Sequence, residues 1–399
     1  MYKMYIERIK SFSSNSRLFL LNSAFIALST VLFSFFFNLY LRALGFEMNF
    51  VGLLNSIIAL STGISGIPFG IAADRYGRKK MLLLSCIALC ISVMGFALLF
   101  QKSLYVVLSI LIGASNAGIY VISNPFMSEN STDCERVHLF SVYSALSMFM
   151  YAVGNIIGGY AFTFLHTFFS GVDAYRILLF SSALFVFLSI LPLLLLKERS
   201  EHESINISIK SKALILKFVI FMGLLGLGGG FILPYFNVFF KECLGAREEF
   251  IGVLFGVGTI TLALSALFSP LISEKMGKIR ATFWSQMTSI PFLALIAFSH
   301  NLWAASLGYV MRAVCMNMTT PIMGAFSMEK LEKEERATAS SFMVTSWQIC
   351  WAITSNISGN LMRGGDYTMP YVGAIVVYIF TGIAVWIFFW KQEYDIERV

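Results

Sequence analysis

The sequence contains little charge. Asp, Glu, Lys and Arg make up only 13% of the 399 residues, whereas soluble globular proteins carry about 25% charged residues. Hydrophobic residues reach 57% and are spread along the whole chain. The shortage of charge excludes a soluble globular domain and predicts an integral membrane protein that crosses the bilayer several times.

The chain also lacks the patterns of metal, disulfide, nucleotide and catalytic sites. None of its six cysteines forms a CxxC pair, and its four histidines are scattered. No HExxH or GxSxG run occurs, nor a GxxxxGK run followed by Ser or Thr. We therefore expect no metal, no cofactor, no enzymatic activity and no ATP-driven pumping. The net charge of +7 lies in short clusters between apolar runs, which argues against a nucleic-acid partner.

Twelve apolar runs are long enough to cross a bilayer as helices, which takes about 20 residues. They lie near residues 18–42, 51–73, 81–100, 104–125, 139–165, 176–196, 218–240, 251–272, 281–299, 302–323, 337–361 and 371–390. These runs are too long and too uniformly apolar for barrel strands. The sequence predicts an all-α membrane protein with twelve transmembrane helices.

Lysine and arginine are distributed unequally between the two sides of these spans. Of the 29 basic residues, 22 lie on the side that holds both termini, 6 lie on the other side, and Arg312 lies inside a span. Because basic loops stay in the cytoplasm, we expect a multi-pass protein of the cytoplasmic membrane with both termini in the cytoplasm. The first apolar run exceeds the core of a signal peptide, so we expect it to remain as a span.

Three separate segments of the first half recur near 200 residues later. The matching pairs are residues 37–52 with 236–252, 74–78 with 274–278, and 135–136 with 335–336. The repeat predicts two six-helix bundles, 1–196 and 218–399, joined by a polar linker at 197–217. Parallel repeats of this kind are typical of secondary transporters.

The loop between the second and third spans carries glycines, one acid and several bases. Its residues are Gly70, Asp74, Arg75, Gly77, Arg78 and Lys79, and a weaker copy after span eight has Glu274, Lys275, Gly277 and Lys278. In sequence and placement this motif resembles the signature of the major facilitator superfamily, Gly-x-x-x-Asp-Arg-x-Gly-Arg-Arg/Lys. With twelve spans and the repeat, the resemblance covers the whole chain. It implies a secondary transporter of prokaryotic type that works by alternating access.

The resemblance also implies that this motif is part of a gate. In that family the acid, here Asp74, helps to latch the bundles together while the transporter is open outward. An acid is favoured at a helix N-terminus, and span eleven begins on the cytoplasmic side. Arg78 would then pair with Glu129 or Asp133 below span four. We expect Asp74→Asn to slow transport.

The spans contain no acid near their centres but one base, Arg312. Without a buried carboxylate to carry a proton, transport should depend weakly on a pH gradient. Two interpretations of Arg312 stay open. Its planar fork of donors could hold an anionic or carbonyl-bearing substrate, or it could be a structural residue bonded to helix carbonyls or asparagines.

Further polar and aromatic residues inside the spans are candidate substrate contacts. They are Asn38 and Asn237, which correspond in the repeat, Asn116 and Asn317 in spans four and ten, and Trp347, Gln348 and Trp351 in span eleven. The two tryptophans are spaced i, i+4 and share a helix face. The asparagines could instead join helices, and the tryptophans could face lipid or pack against neighbours.

The leading function predicted from the sequence is export of amphipathic or aromatic compounds, as in multidrug transporters. The runner-up is transport of a polar or anionic metabolite or lipid held by Arg312, and a non-transporting sensor of the same fold is the alternative from another class. Compared with drug–proton antiporters of the family, the region of Ser109 has no arginine and Asn155 replaces a proline. The expected partners are a small-molecule substrate and the lipid bilayer. A coupling ion is left open, and we expect a monomer.

Overall fold

The computed structural model describes residues 12–197, 210–332 and 334–394, apart from the side chains of residues 133, 134 and 391–394. This part of the chain forms twelve long helices and no strand. They are α1 (Ser14–Ala43), α2 (Met48–Tyr76), α3 (Arg78–Leu98), α4 (Lys102–Glu129), α5 (Asp133–His166), α6 (Gly171–Leu195), α7 (Lys212–Ile232), α8 (Glu248–Met276), α9 (Lys278–Phe298), α10 (Leu302–Lys330), α11 (Arg336–Leu361) and α12 (Thr368–Tyr394). The predicted all-α fold is confirmed.

Helix α7 continues into an irregular segment. A 3₁₀ turn at Leu233–Tyr235 contains Pro234 and leads into a single α-turn and then a π-turn at Phe239–Cys243. Proline has no backbone N–H and disturbs the regular hydrogen-bond ladder, which accounts for the irregularity. The distortion rotates the residues that follow, including Phe236 and Asn237, which are buried.

Ten of the twelve long helices in the described residues are apolar enough by composition to cross a membrane, and α10 and α11 are the two that are not. Helix α10 carries Arg312 and Asn317, and α11 is rich in Ser, Thr and Asn. Both helices still have ample length, since 26 residues or more exceed the about 20 that a span requires. The least apolar helices are therefore the ones that carry most of the predicted substrate residues of the second half.

The repeat is visible in the backbone. Helices α2, α3 and α4 each begin within two residues of a position that, shifted by 200, starts α8, α9 and α10. Gly77 and Gly277 precede α3 and α9 with φ of 100° and 85°, and Gly45 and Gly245 have φ of 85° and 63°. These values lie in the left-handed region, which glycine adopts without steric cost. The same tight turns are thus built at the same places in both halves.

The helices divide into two compact units. The first contains Met1–Leu44 and Leu60–Ile205, and the second contains Gly45–Ala59 and Asn206–Val399. The sequence predicts residues 45–59 in the first bundle, whereas their contacts lie in the second unit. The physical reason is close backbone approach: a Cβ added at Gly52 would lie 2.8 Å from Cα of Gly359 in α11. Most of the predicted linker, residues 198–209, lies outside the described residues.

Within the first unit, small polar residues join α1 to α6. Ser29 and Ser182 are fully buried, and their hydroxyls lie 3.0 Å apart. Asn22 donates its side-chain amide to the carbonyl of Ser189 at 2.9 Å. Interhelical hydrogen bonds of this kind hold helices together where lipid supplies no hydrophobic driving force.

Within the second unit, glycines allow α7 to approach α11 closely. A Cβ at Gly226 would lie 2.4 Å from the carbonyl oxygen of Trp347, and one at Gly230 would lie 2.4 Å from that of Trp351. Ser355 donates to the carbonyl of Gly230 at 3.2 Å, and Ser358 donates to that of Phe231 at 2.6 Å. The glycine run of α7 therefore serves close packing.

Candidate functional site

The motif loop forms a compact charge cluster inside the first unit. Gly77, with its positive φ, separates the end of α2 from the start of α3. Arg78 donates one guanidinium nitrogen to Glu129 at 2.7 Å and lies 3.5 Å from Asp74 with another. All three side chains are less than 30% exposed. The structure thus brings Arg78 and Glu129 together, whereas the side chain of Asp133 lies outside the described residues.

The remaining motif residues have distinct positions. Lys79 donates its ammonium to the carbonyls of Leu194 and Leu196 at 2.9 and 2.6 Å, which satisfies the end of α6. Gly70 faces α4, where an added Cβ would touch Val121 at 3.4 Å. Arg75 is exposed, and its guanidinium lies 5.5 Å from the ring of Tyr76.

The second copy of the motif has the same layout within the second unit. Lys278 is bound to Glu329 at 2.5 Å, which repeats the Arg78–Glu129 pair at an offset of 200 residues. Gly277 provides the turn. Glu274 and Lys275 are exposed. Sequence reasoning missed Glu329, although the offset of the repeat would have found it as the counterpart of Glu129.

Arg312 lies in a cage of aromatic rings in the second unit. Its side chain is 4% exposed and donates to the hydroxyl of Tyr378 at 3.1 Å. Its guanidinium carbon lies 5.6 Å from the Phe236 ring and 5.8 Å from the Tyr378 ring. Such cation–π contacts offset part of the cost of removing a cation from water.

The cage leaves Arg312 with unused binding capacity. Among the described residues no carboxylate lies within ion-pair distance of it, and its buried Nε atom has no hydrogen-bond partner. A buried donor without a partner costs about 1–3 kcal/mol, more when it is charged. The site is therefore suited to a carboxylate, phosphate or carbonyl oxygen.

The four predicted asparagines occupy different environments. Asn38 and Asn237 are buried within their own units, and Asn237 accepts a bond from the N–H of Val238 at 2.9 Å. Asn317 donates to the carbonyl of Ala313 in its own helix at 2.7 Å. Asn116 lines a cavity in the first unit.

That cavity lies between α1, α4 and α5 and is lined by uncharged polar groups. Its polar lining consists of Asn22, Ser23, Thr30, Asn116, Tyr120, Ser123, Tyr143, Ser147 and Tyr151, and we call it the tyrosine pocket. Its volume is about 40 Å³, room for a water molecule or two. A larger solute would contact these groups with only part of its surface.

Sequence reasoning missed the tyrosines of this pocket. Tyr143, Ser147 and Tyr151 are spaced by four residues and so share one face of α5, as the structure shows. That spacing of polar groups inside an apolar run was the available signal. It points to a face of α5 that does not contact lipid.

Trp347 and Trp351 lie together on α11 as predicted from their spacing. Their ring centroids are 4.6 Å apart at an interplanar angle of 39°. The Trp351 ring also covers α7, because a Cβ at Gly229 would lie 2.8 Å from it. Both rings and Gln348 are half-buried. The pair contributes to the packing of α7 against α11 and leaves part of each ring accessible.

A buried carboxylate holds the start of α7. Glu335, which is fully buried, accepts the backbone N–H of Lys210 and that of Ser211, the latter at 2.6 Å. Glu332 pairs with the ammonium of Lys210 at 2.7 Å. Burial alone would raise the pKa of Glu335, but the backbone hydrogen bonds outweigh it, so the pKa lies below its ordinary value.

The fold is that of known membrane transporters. The chain aligns with the nucleoside transporter NupG at a TM-score of 0.77 and 14% identity, covering 94% of this chain and 99% of that one. It aligns with a D-xylose–proton symporter at a TM-score of 0.73 and 13% identity, covering 94% and 97%. The architecture is therefore that of a multi-pass transporter.

A model of the Major Facilitator Superfamily matches residues 19–222 and 218–399, and the chain belongs to that family. The resemblance carried by the Gly70–Lys79 motif is thereby confirmed. The family and the fold are those of transporters, not of enzymes.

Several curated relatives are exporters by name. Sugar efflux transporter C of Escherichia coli K12 is 22% identical over 174 residues, which cover 43% of this chain and 44% of that protein. Sugar efflux transporter B of Salmonella typhimurium LT2 is 22% identical over 181 residues, covering 45% and 46%. Efflux pump azaK of Aspergillus niger is 30% identical over 109 residues, covering 27% and 23%. The match spans less than half the length of each of these relatives.

Proposed function

We propose that this protein exports an uncharged amphipathic compound that carries hydroxyl groups. It would do so across the cytoplasmic membrane by alternating access, with both termini in the cytoplasm. The substrate class combines the amphipathic character predicted from the sequence with the chemistry of the tyrosine pocket. The names of the sugar efflux relatives favour both the direction and the hydroxyl groups.

The single observation that carries this proposal is the composition of the tyrosine pocket. Three tyrosines supply ring faces together with hydroxyls, and Asn22 and Asn116 supply amide groups. No acid or base lines the pocket. Hydroxyl and amide groups pair with the hydroxyls of a solute, and ring faces bind its apolar part, whereas a charged solute would find no counter-charge there.

Proteoliposomes loaded with p-nitrophenyl glucoside, an uncharged ring-bearing glycoside, test the proposal. We expect the wild type to release this probe faster than empty liposomes. Asn116→Ala and Tyr151→Phe should each slow release about threefold to tenfold, since each removes a hydrogen bond worth ~1 kcal/mol. Tyr160→Phe is the matched control, because Tyr160 lies on the same helix but is 57% exposed and outside the pocket.

Two results would contradict the proposal. Equal slowing by Tyr160→Phe would remove the pocket from the transport path. Absence of release by the folded wild type, together with probe binding, would favour the sensor.

A second candidate function rests on the uncompensated charge of Arg312. A buried guanidinium that has an unpartnered donor and no carboxylate partner among the described residues is suited to an anionic metabolite or lipid. Arg312→Gln should then abolish release of p-nitrobenzoate, whereas Arg312→Lys should retain part of it. If both variants release the anion at the wild-type rate, Arg312 has only a structural role.

A further inference from the structure

A long apolar groove opens at the start of α7 in the second unit. Its cavity volume is about 580 Å³. It is lined by Lys212, Ile215 and Val219 from α7 and by Phe342, Ser346 and Ile349 from α11. We call it the Lys212 groove. It shares no residue with the tyrosine pocket, the aromatic cage or the motif loops.

The groove has a charged end and a closed end. Lys212 is the first residue of α7, and it is exposed. From Lys212 to Val219 the helix rises about 10 Å. The groove ends where α7 and α11 come together at Gly223, at which a Cβ would lie 2.7 Å from the hydroxyl of Ser346. It therefore occupies the first turns of α7, at the boundary between membrane and water.

The charge of Lys212 is not neutralised by the neighbouring acids. Glu332 pairs with Lys210, and Glu335 accepts the backbone N–H groups of Lys210 and Ser211. Among the described residues, no carboxylate lies within ion-pair distance of Lys212. The groove thus presents one cation beside an otherwise almost wholly apolar channel.

We propose that the Lys212 groove binds an anionic phospholipid of the bilayer. The phosphate would lie at Lys212, and one acyl chain would lie between α7 and α11. The predicted cytoplasmic position of Lys212 places it where anionic lipids attract juxtamembrane bases. Leu216 and Phe342 at the groove are 57% and 39% exposed, as suits side chains that meet an acyl chain. The small hydrophilic solutes of a transport path match these walls poorly.

Native mass spectrometry of the purified protein tests this inference, with phosphatidylglycerol and phosphatidylcholine that carry identical acyl chains. We expect the wild type to retain phosphatidylglycerol in preference to phosphatidylcholine. Lys212→Gln should weaken phosphatidylglycerol binding about fivefold, the equivalent of ~1 kcal/mol for a base near the membrane surface. Lys275→Gln is the matched control, since it removes the same charge from an exposed position outside the groove.

A second pair of variants tests the acyl-chain part of the groove. Val219→Trp should fill it and weaken binding of both lipids. Ile220→Trp, at the next position on α7 but outside the groove, should leave both unchanged. Thermal unfolding of all four variants identifies any that fail to fold.

Three results would overturn the inference. Lys212→Gln could keep the wild-type lipid preference, Lys275→Gln could lose as much of it, or Val219→Trp could block transport of p-nitrophenyl glucoside while lipid binding stays unchanged. The last result would assign the groove to the solute path. Lipid binding is measured on purified protein without transport, so the outcome is independent of the proposed substrate.

Discussion

At the scale of single residues, the protein places its few charges where hydrogen bonds or aromatic rings compensate them. Arg312 is held by Tyr378 and two ring faces inside the second unit. Glu335 is fully buried and is held by two backbone N–H groups at the start of α7. Charges of this kind are costly to bury and therefore depend on every partner they have.

Replacing Glu335 by glutamine should lower the thermal stability of the protein in a pH-dependent way. The pKa of Glu335 is below its ordinary value, so its charged form stabilises the fold at neutral pH, and that stabilisation is lost as the pH falls through the folded-state pKa, below 4.5. We expect the difference in melting temperature between the wild type and Glu335→Gln to be large at pH 7 and to shrink below 4.5.

Glu332→Gln is the control for this measurement. Glu332 is 52% exposed and contacts only the side chain of Lys210 among the contacts described here, so its replacement should change the melting temperature little at any pH. A difference for Glu335→Gln that stays constant from pH 7 to pH 4 would show that lost packing, not lost charge, is responsible.

At the scale of helices, α7 and α11 are joined by direct backbone contact. Gly226 faces the Trp347 carbonyl, and that group cannot move away as a flexible side chain could. We expect Gly226→Ala to destabilise the protein by about 1–3 kcal/mol, the usual cost of overpacking. The measurement is denaturant or thermal unfolding in detergent.

Gly324→Ala provides the matched comparison. It is also a helical glycine of the second unit, but an added Cβ there meets nothing within 4 Å. Alanine should stabilise that helix by about 0.5–1 kcal/mol because it restricts the unfolded chain. If both substitutions have the same effect, helix propensity and not contact with α11 decides the outcome.

The end of α2 carries the proposed gate acid, Asp74. We expect Asp74→Asn to slow release of p-nitrophenyl glucoside about threefold to tenfold, because an acid near a helix terminus contributes ~1 kcal/mol. Protein abundance and the orientation of the termini should not change. Asp173→Asn is the control, since Asp173 pairs with Arg176 in the first turn of α6, away from the motif. Wild-type transport by Asp74→Asn would remove the gate role.

At the scale of the whole molecule, acids are confined to the ends of helices. In the described helices, every Asp and Glu lies in a first or last turn or in the irregular segment that follows α7. A transporter that moves protons usually needs a carboxylate inside the bilayer, where burial raises the pKa toward neutrality. The observed distribution favours transport that does not use a proton gradient.

Imposing a pH gradient across proteoliposomes should therefore change the release rate by less than about twofold, within the effect of surface charge alone. The rate is measured at equal internal pH with and without the gradient. Steep dependence on the gradient would show that an acid at a helix end carries the proton. Neutralising Glu47 and Glu242 one at a time would then identify it.

The sequence by itself determined the helical class, the number of long helices, the repeat and the family. These follow from local properties, because length, apolar composition and residue spacing decide whether a segment forms a membrane helix. The same locality predicted that Trp347 and Trp351 share a face, and the motif loop led to the Arg78–Glu129 pair. The offset of 200 residues also contained the Lys278–Glu329 pair.

Only the tertiary structure decided which distant groups meet. The tyrosine pocket combines α1, α4 and α5, the cage of Arg312 uses Phe236 and Tyr378 from separate helices, and Lys212 lies at the mouth of a groove between α7 and α11. The grouping of residues 45–59 with the second unit likewise depends on the contact between Gly52 and Gly359. Helix packing joins residues more than 100 positions apart, and the composition of a span does not encode which face meets which neighbour.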